Sequence, residues 1–225
     1  MAITSRDNER LKLVRKLHDR RWRDKLGLFV VEGEDLVEAA AGIEPVELLV
    51  AGEDVEPALL AEVSTLAHPP RVVAVYRRDD LPLGVRRVTL ALWHVGDPGN
   101  VGTLLRAADS FDAGVALSDS CADPTGPKAV RASMGSLFRV PVSAFDEPTG
   151  RRVALVPSGG IPLPELDSSG DVVLVLGAER EGLPADVLAA CEERASIPQP
   201  GGGDSLNVAM AGTIALYELA RRTTA

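Results

Sequence analysis

The sequence predicts an α/β fold, a mostly parallel sheet flanked by helices and preceded by a smaller α/β unit. Three observations lead there. Short apolar runs such as "TLALWHV" and "DVVLVLG" recur through the second half of the chain, apolar on both faces as strands of a covered parallel sheet are. Segments of helical spacing lie between them, the alternation of a sheet clothed on two sides. In "RRDDLPLGVRR", residues 77–87, prolines, glycine and charge replace periodicity, which marks a linker between units at 1–76 and 88–225.

Residues 5–25 have helical spacing, with Leu11, Val14 and Leu17 on one side and Arg/Lys around the rest. "LFVVEG" then reads as a short strand ending in a turn, and "EDLVEAAAG" as a helix with Gly42 as its C-cap. "VELLVAG", "PALLAEVSTLA" and "RVVAVY" continue as strand, helix and strand. Beyond the linker, strands are expected at "TLALWHV", "AGVALSD", "LFRVPVS", "RVALVPS", "DVVLVLG" and "ERASIPQ". Helices are expected at 101–110, 127–135, 184–191 and 207–222.

Charge is unevenly spread over the 225 residues. The net value of −9 argues at first against a nucleic-acid partner. Residues 1–25, however, carry nine Lys/Arg against four Asp/Glu, while residues 26–70 carry ten Asp/Glu and no Lys/Arg. A basic arm joined to an acidic small domain could still follow an RNA backbone through Arg6, Arg10, Arg15, Arg20, Arg21 and Arg23. A solvated amphipathic helix explains the same charges. No apolar run approaches the roughly 18 residues of a membrane span, and the N-terminus has no signal-peptide core, so a soluble cytoplasmic protein is expected. Cys121 and Cys191 make no metal or redox spacing and are expected as reduced thiols.

In an open α/β sheet the working residues lie on loops at the carboxyl ends of strands. Three such loops stand out. In "HVGDPGNVGTLLRAAD", Pro98 and Gly99 are expected to turn and Asn100 to cap a helix, while Arg106 offers a planar, permanently charged donor to phosphate or a developing oxyanion. "LGAEREGLP" leaves the backbone bare at Gly177 and Gly182 and sets Glu179 at the mouth of the sheet. "IPQPGGGDSLNVAMAGTIALYELARR" runs through glycines to Ser205 and Asn207, then into a helix that is apolar nearly all round. Its glycine-rich backbone suits a small cofactor held by main-chain hydrogen bonds.

"NVGTLLR", "LGAEREGL" and "SLNVAMA", in that order and at those separations, closely resemble the three motifs of the SpoU/TrmH-type RNA ribose methyltransferases of the SPOUT superfamily. "DPTGPKAVRASMGSLFRVPV" resembles the family's middle segment, and "LGLFVVEGEDLVEAA" its N-terminal substrate-binding domain. The resemblance implies a C-terminal trefoil knot in the second unit and S-adenosylmethionine as cofactor. It also implies methyl transfer to a ribose 2′-hydroxyl, and a homodimer formed through the helix at 207–222. By the same carry-over Arg106, Asn100, Glu179, Ser205 and Asn207 belong to the active site, and Gly177, Ile197 and Leu206 to the cofactor site. Arg6, Arg10, Lys128 and Arg131, with Arg139 beside them, are candidates for RNA contact. No metal is implied, since a sulfonium is already a good electrophile.

A guanidinium stays protonated, so Arg106 reads as a clamp and alkoxide stabiliser, not a base, and the proton acceptor is unassigned. Ribosomal RNA is expected before transfer RNA. A catalytically idle RNA-binding dimer is the competing reading. A nucleotide-binding enzyme of another kind is disfavoured by the missing G-x-G-x-x-G, P-loop and metal-ligand patterns. One stretch departs from the family: "VSAFDEPTGR" replaces a fuller helix, which is expected to bare part of a sheet face or to alter RNA docking.

Overall fold

A computed structural model describes residues 2–178, 181–202 and 205–223. Two helices open the chain, α1 (Glu9–Leu17) and α2 (Arg20–Leu26). The expected single helix breaks at His18–Asp19 because Asp19 adopts an extended backbone and caps α2, accepting from the Arg21 amide. Next come β1 (Leu28–Glu32), α3 (Glu34–Ala39), β2 (Glu47–Val50), α4 (Pro57–Val63) and β3 (Val72–Arg77). Helix α3 ends before Gly42, with Ala40 at its cap. The three strands form an antiparallel sheet in the order β1-β3-β2.

That sheet has two apolar faces. Val30, Leu49, Val73 and Val75 pack against Leu11, Val14 and Leu17 of α1 and Leu59, Leu60 and Val63 of α4. The basic "arm" is therefore part of a core, with Leu11, Val14 and Leu17 fully buried. The other face carries Phe29, Val31, Ala74 and Tyr76 into the core of the second unit. There Phe138 meets Tyr76 edge-on with ring centroids 5.4 Å apart. The two sheets thus share one apolar core across the linker.

The second unit comprises β4 (Val88–Leu92), α5 (Pro98–Ser110), β5 (Gly114–Leu117), α6 (Pro127–Ser133), β6 (Val142–Ala144), β7 (Arg151–Leu155), β8 (Ile161–Pro162), β9 (Val172–Leu176), α7 (Ala185–Ala189), β10 (Glu193–Ser196) and α8 (Val208–Thr223). Its seven strands are all parallel, in the order β6-β5-β4-β9-β7-β10-β8. The two-residue strand β8 is too short to show as a sequence pattern. Helices α5 and α8 cover one face through Leu104, Leu105, Ala215 and Leu216. On the other face Phe145 and Val187 of α7 close over Ala91, Ala116, Val173 and Val175. Within the shortened segment Phe145 covers this part of the sheet, with the Arg152 guanidinium 4.8 Å from its ring centroid, while the edge strand β6 stays half-exposed to exposed.

Arg23, read from the sequence as a surface charge, is buried and reaches into the second unit. Its Nε donates to Asp123 Oδ2 at 2.7 Å, and Arg78 Nη2 donates to the same oxygen at 2.9 Å. The Arg23 and Asp123 side chains are 5% and 8% exposed, so this pair ties α2 to the loop after β5. Burial alone would raise the Asp123 pKa, but the Thr125 hydroxyl, Arg78 and Arg23 hold it below the ordinary carboxylate value.

Candidate active site

The strands β4, β9 and β7 end side by side, and their loops meet the start of α8. Helix α5 begins at Pro98, with Asp97 as its N-cap accepting from the Asn100 amide at 3.1 Å. This corrects the expectation that Asn100 caps the helix and that Pro98–Gly99 lie in a turn before it. Proline fits the first helical position and keeps the preceding residue extended, so Asp97 takes the cap. Lys128 donates to Asp97 Oδ2 at 3.0 Å, and this hydrogen bond, with that of the Asn100 amide, lowers the Asp97 pKa.

Asn100, freed from capping, turns its side chain to α8. Its Oδ1 accepts from Asn207 Nδ2 at 3.2 Å. Asn207 in turn caps α8, its Oδ1 accepting from the amides of Ala209 and Met210 at 2.9 and 3.2 Å. One asparagine thus fixes both the start of α8 and the orientation of its neighbour. The close packing beneath comes from Gly102: a Cβ there would lie 2.5 Å from the Ala129 carbonyl oxygen and from Ala132 Cβ on α6. Arg106 lies six residues beyond Asn100, about 9 Å along the axis of α5. It is exposed and its guanidinium meets no carboxylate among the described residues.

Beside this pair opens a cavity of about 500 Å³ whose lining includes Gly177, Ile197, Ser205 and Leu206. The sequence-derived cofactor residues are therefore brought together. Leu155, Leu176, Leu183, Leu188 and Val208 make its walls largely apolar, and Gln199 and Glu181 add polar groups. A volume of this size falls in the roughly 300–1,000 Å³ range of small-molecule sites. Gly177 is required by the wall itself, since a Cβ there would lie 2.3 Å from the carbonyl carbon of Gly182 and 2.4 Å from its oxygen. S-adenosylmethionine fits this lining, its flat adenine suiting the apolar walls and its ribose and amino-acid groups the polar ones. Glu179 lies outside the described residues. The contributions of Leu155–Pro157 and Leu188 had no signal beyond their position at a strand end and after a loop.

Several of the candidate RNA contacts are engaged within the chain. Arg6 pairs with Glu62 at 2.9 Å, Arg10 with Glu47 at 2.5 Å, and Arg139 with Asp109 at 2.7 Å. Arg131 donates to Thr65 Oγ1 at 2.7 Å and lies 3.4 Å from Glu32, whose side chain is 2% exposed. Exposed pairs are worth only about 0–1 kcal/mol, so Arg6 and Lys128 can exchange their carboxylates for phosphates at little cost. Arg131 holds a buried carboxylate and belongs to the interface between the two units.

Two family models match this chain. A family model described as SpoU rRNA Methylase matches residues 87–217, and one described as MRM3-like substrate binding domain matches residues 8–78. The 23S rRNA (guanosine-2′-O)-methyltransferase RlmP of Bacillus subtilis is 33% identical, covering 96% of this chain and 98% of its own. An AdoMet-bound rRNA methyltransferase from Sinorhizobium meliloti superposes with a TM-score of 0.87 at 30% identity, over 99% of this chain and 98% of that one. The SpoU methyltransferase AviRb from Streptomyces viridochromogenes, in complex with AdoMet, superposes with a TM-score of 0.85 at 27% identity, over 97% and 99%.

Proposed function

We propose that this chain, which belongs to the SpoU rRNA methylase family, is an S-adenosylmethionine-dependent enzyme that methylates a ribose 2′-hydroxyl of ribosomal RNA. The observation that carries this reading is the meeting of the 500 Å³ cavity with the Asn100–Asn207 pair, in a chain similar over both units to enzymes of that activity. Gly177, Ile197 and Leu206 would hold the cofactor through backbone groups and apolar contact, with Ser205 at the rim. When bound, the sulfonium supplies an already activated methyl group.

The protein's task is then alignment of a weak nucleophile, and positioning of this kind can supply about 7–11 kcal/mol of a barrier. Asn207 and Asn100 set the geometry of the first turns of α8 and α5. Arg106 clamps the neighbouring phosphate and stabilises the alkoxide as the C–O bond forms and the C–S bond breaks. The proton passes to water or to a phosphate oxygen. Two chains pair through α8, where Met210, Ile214 and Tyr217 form an exposed apolar stripe at helical spacing, 57%, 38% and 57% exposed. The C-terminal segment forms the trefoil knot of the superfamily, the first unit binds RNA, and the reaction takes place in the cytoplasm. Incubation with radiolabelled S-adenosylmethionine and total RNA tests the reading. Label in a ribose of the large ribosomal RNA is expected, and label only in transfer RNA or in a base would overturn the substrate assignment.

A further inference from the structure

At the end of β4 the chain carries a feature that methyl transfer as described does not use. His94 is exposed, and its ring stacks on Trp93 with centroids 4.5 Å apart and planes within 9° of parallel. Its backbone lies at φ +54°, in the left-handed region that favours glycine. A histidine held there needs its surroundings to fix it, and they do. Its amide donates to Ser118 Oγ at 3.0 Å, and Trp93 rests edge-on against Phe145 with centroids 5.1 Å apart. A rigid, solvent-facing aromatic surface is thus kept at some conformational cost.

The position of this surface is defined on both sides. The Trp93 amide donates at 2.8 Å to the carbonyl of Leu176, a residue of the cavity wall. Trp93 also packs in the cluster that includes Leu183, another wall residue. On the far side, the Ala122 amide donates to Val95 at 2.9 Å, and the next residue is Asp123, the anchor of α2. Three residues after His94, Asp97 starts the helix that presents Asn100 and Arg106. The ring pair therefore stands just past the carboxyl end of the interior strand β4, between the cavity wall and the loop that anchors the N-terminal unit.

We propose that the His94–Trp93 stack is a nucleobase subsite, on which a splayed-out base of the RNA substrate lies when its ribose is presented to the cavity. The proposal rests on the reading of this chain as an RNA-modifying enzyme. Unstacked bases in RNA are recognised by stacking on flat side chains, and such a surface binds any base because each has a π-face. His94 here is a positioning residue, with no proton-transfer role.

The test uses the Trp22→Phe protein, in which Trp93 is the only tryptophan, with oligouridylate and an abasic oligonucleotide of equal length as probes. Quenching of Trp93 by oligouridylate and not by the abasic strand is expected. His94→Gly, which relieves the backbone, is expected to weaken oligouridylate binding about tenfold while S-adenosylmethionine affinity holds. His94→Phe, which restores a flat ring, is expected to recover the affinity. Equal binding of the two probes, or equal affinity of the Gly and Phe variants, would overturn the subsite. Base-dependent quenching without methyl transfer to any RNA would leave the subsite standing and sink the assigned reaction; transfer without base-dependent quenching would do the reverse.

Discussion

Asn207 does two things at once, and substitutions can separate them. Asn207→Ala removes the cap of α8, an expected loss of about 1 kcal/mol in thermal or urea unfolding, together with the hydrogen bond to Asn100. Asn207→Asp keeps an acceptor for the two amides but loses the donor, so it should unfold like the parent and still transfer methyl groups poorly. Parent-like turnover in the Asp variant would show that the asparagine pair has no part in alignment. Gly177→Ala should weaken cofactor binding at least tenfold by calorimetry, because its Cβ would force the Gly182 backbone out of the cavity wall. These residues were visible in the sequence as loop glycines and asparagines. Their pairing was not, because Asn100 and Asn207 stand 107 residues apart. Nor was the transfer of the capping role to Asp97, although Pro98 next to it was the available signal.

Among elements, the strands "TLALWHV", "AGVALSD" and "DVVLVLG" were the most legible, being short runs apolar on both faces, whereas "LFRVPVS" opens in a 3-10 turn and pairs only from Val142. The least legible was the pair α1–α2. Charge counting made it a basic arm, yet Leu11, Val14 and Leu17 are fully buried and Arg23 crosses to Asp123. Deleting residues 1–25 should therefore unfold the first unit, seen as early loss of cooperativity in urea, beyond any change in RNA binding. Asp123→Ala strands the buried Arg23 guanidinium and should cost about 3–5 kcal/mol. The sign of the pH effect follows from the lowered pKa of Asp123. Its contribution is fully present above the ordinary carboxylate pKa of about 4 and is lost as pH falls through the lower folded value. Urea midpoints at pH 7 and at pH 3 should accordingly converge in Asp123→Asn relative to the parent; an unchanged gap would place the acid sensitivity elsewhere.

For the whole molecule, a net charge of −9 and an RNA substrate are reconciled by local placement. Much of the positive charge is used internally, in pairs such as Arg23–Asp123 and Arg131–Glu32, while Arg106 on α5 is exposed and meets no carboxylate among the described residues. The proposed pairing of two chains through the apolar stripe of α8 is tested by Ile214→Asp, which should give a monomer in analytical ultracentrifugation; parent-like sedimentation of the variant would contradict the pairing. The central claim is that the cavity and the Asn100–Arg106 face form one site for ribose methylation. It is tested most directly by incubating parent and Arg106→Ala proteins with labelled S-adenosylmethionine and unmodified 23S rRNA, with cofactor affinity measured alongside. The account predicts label at a single ribose 2′-oxygen with the parent, and none with the variant although it binds the cofactor equally well. Label at the same ribose with the variant, or at a base with the parent, would contradict it.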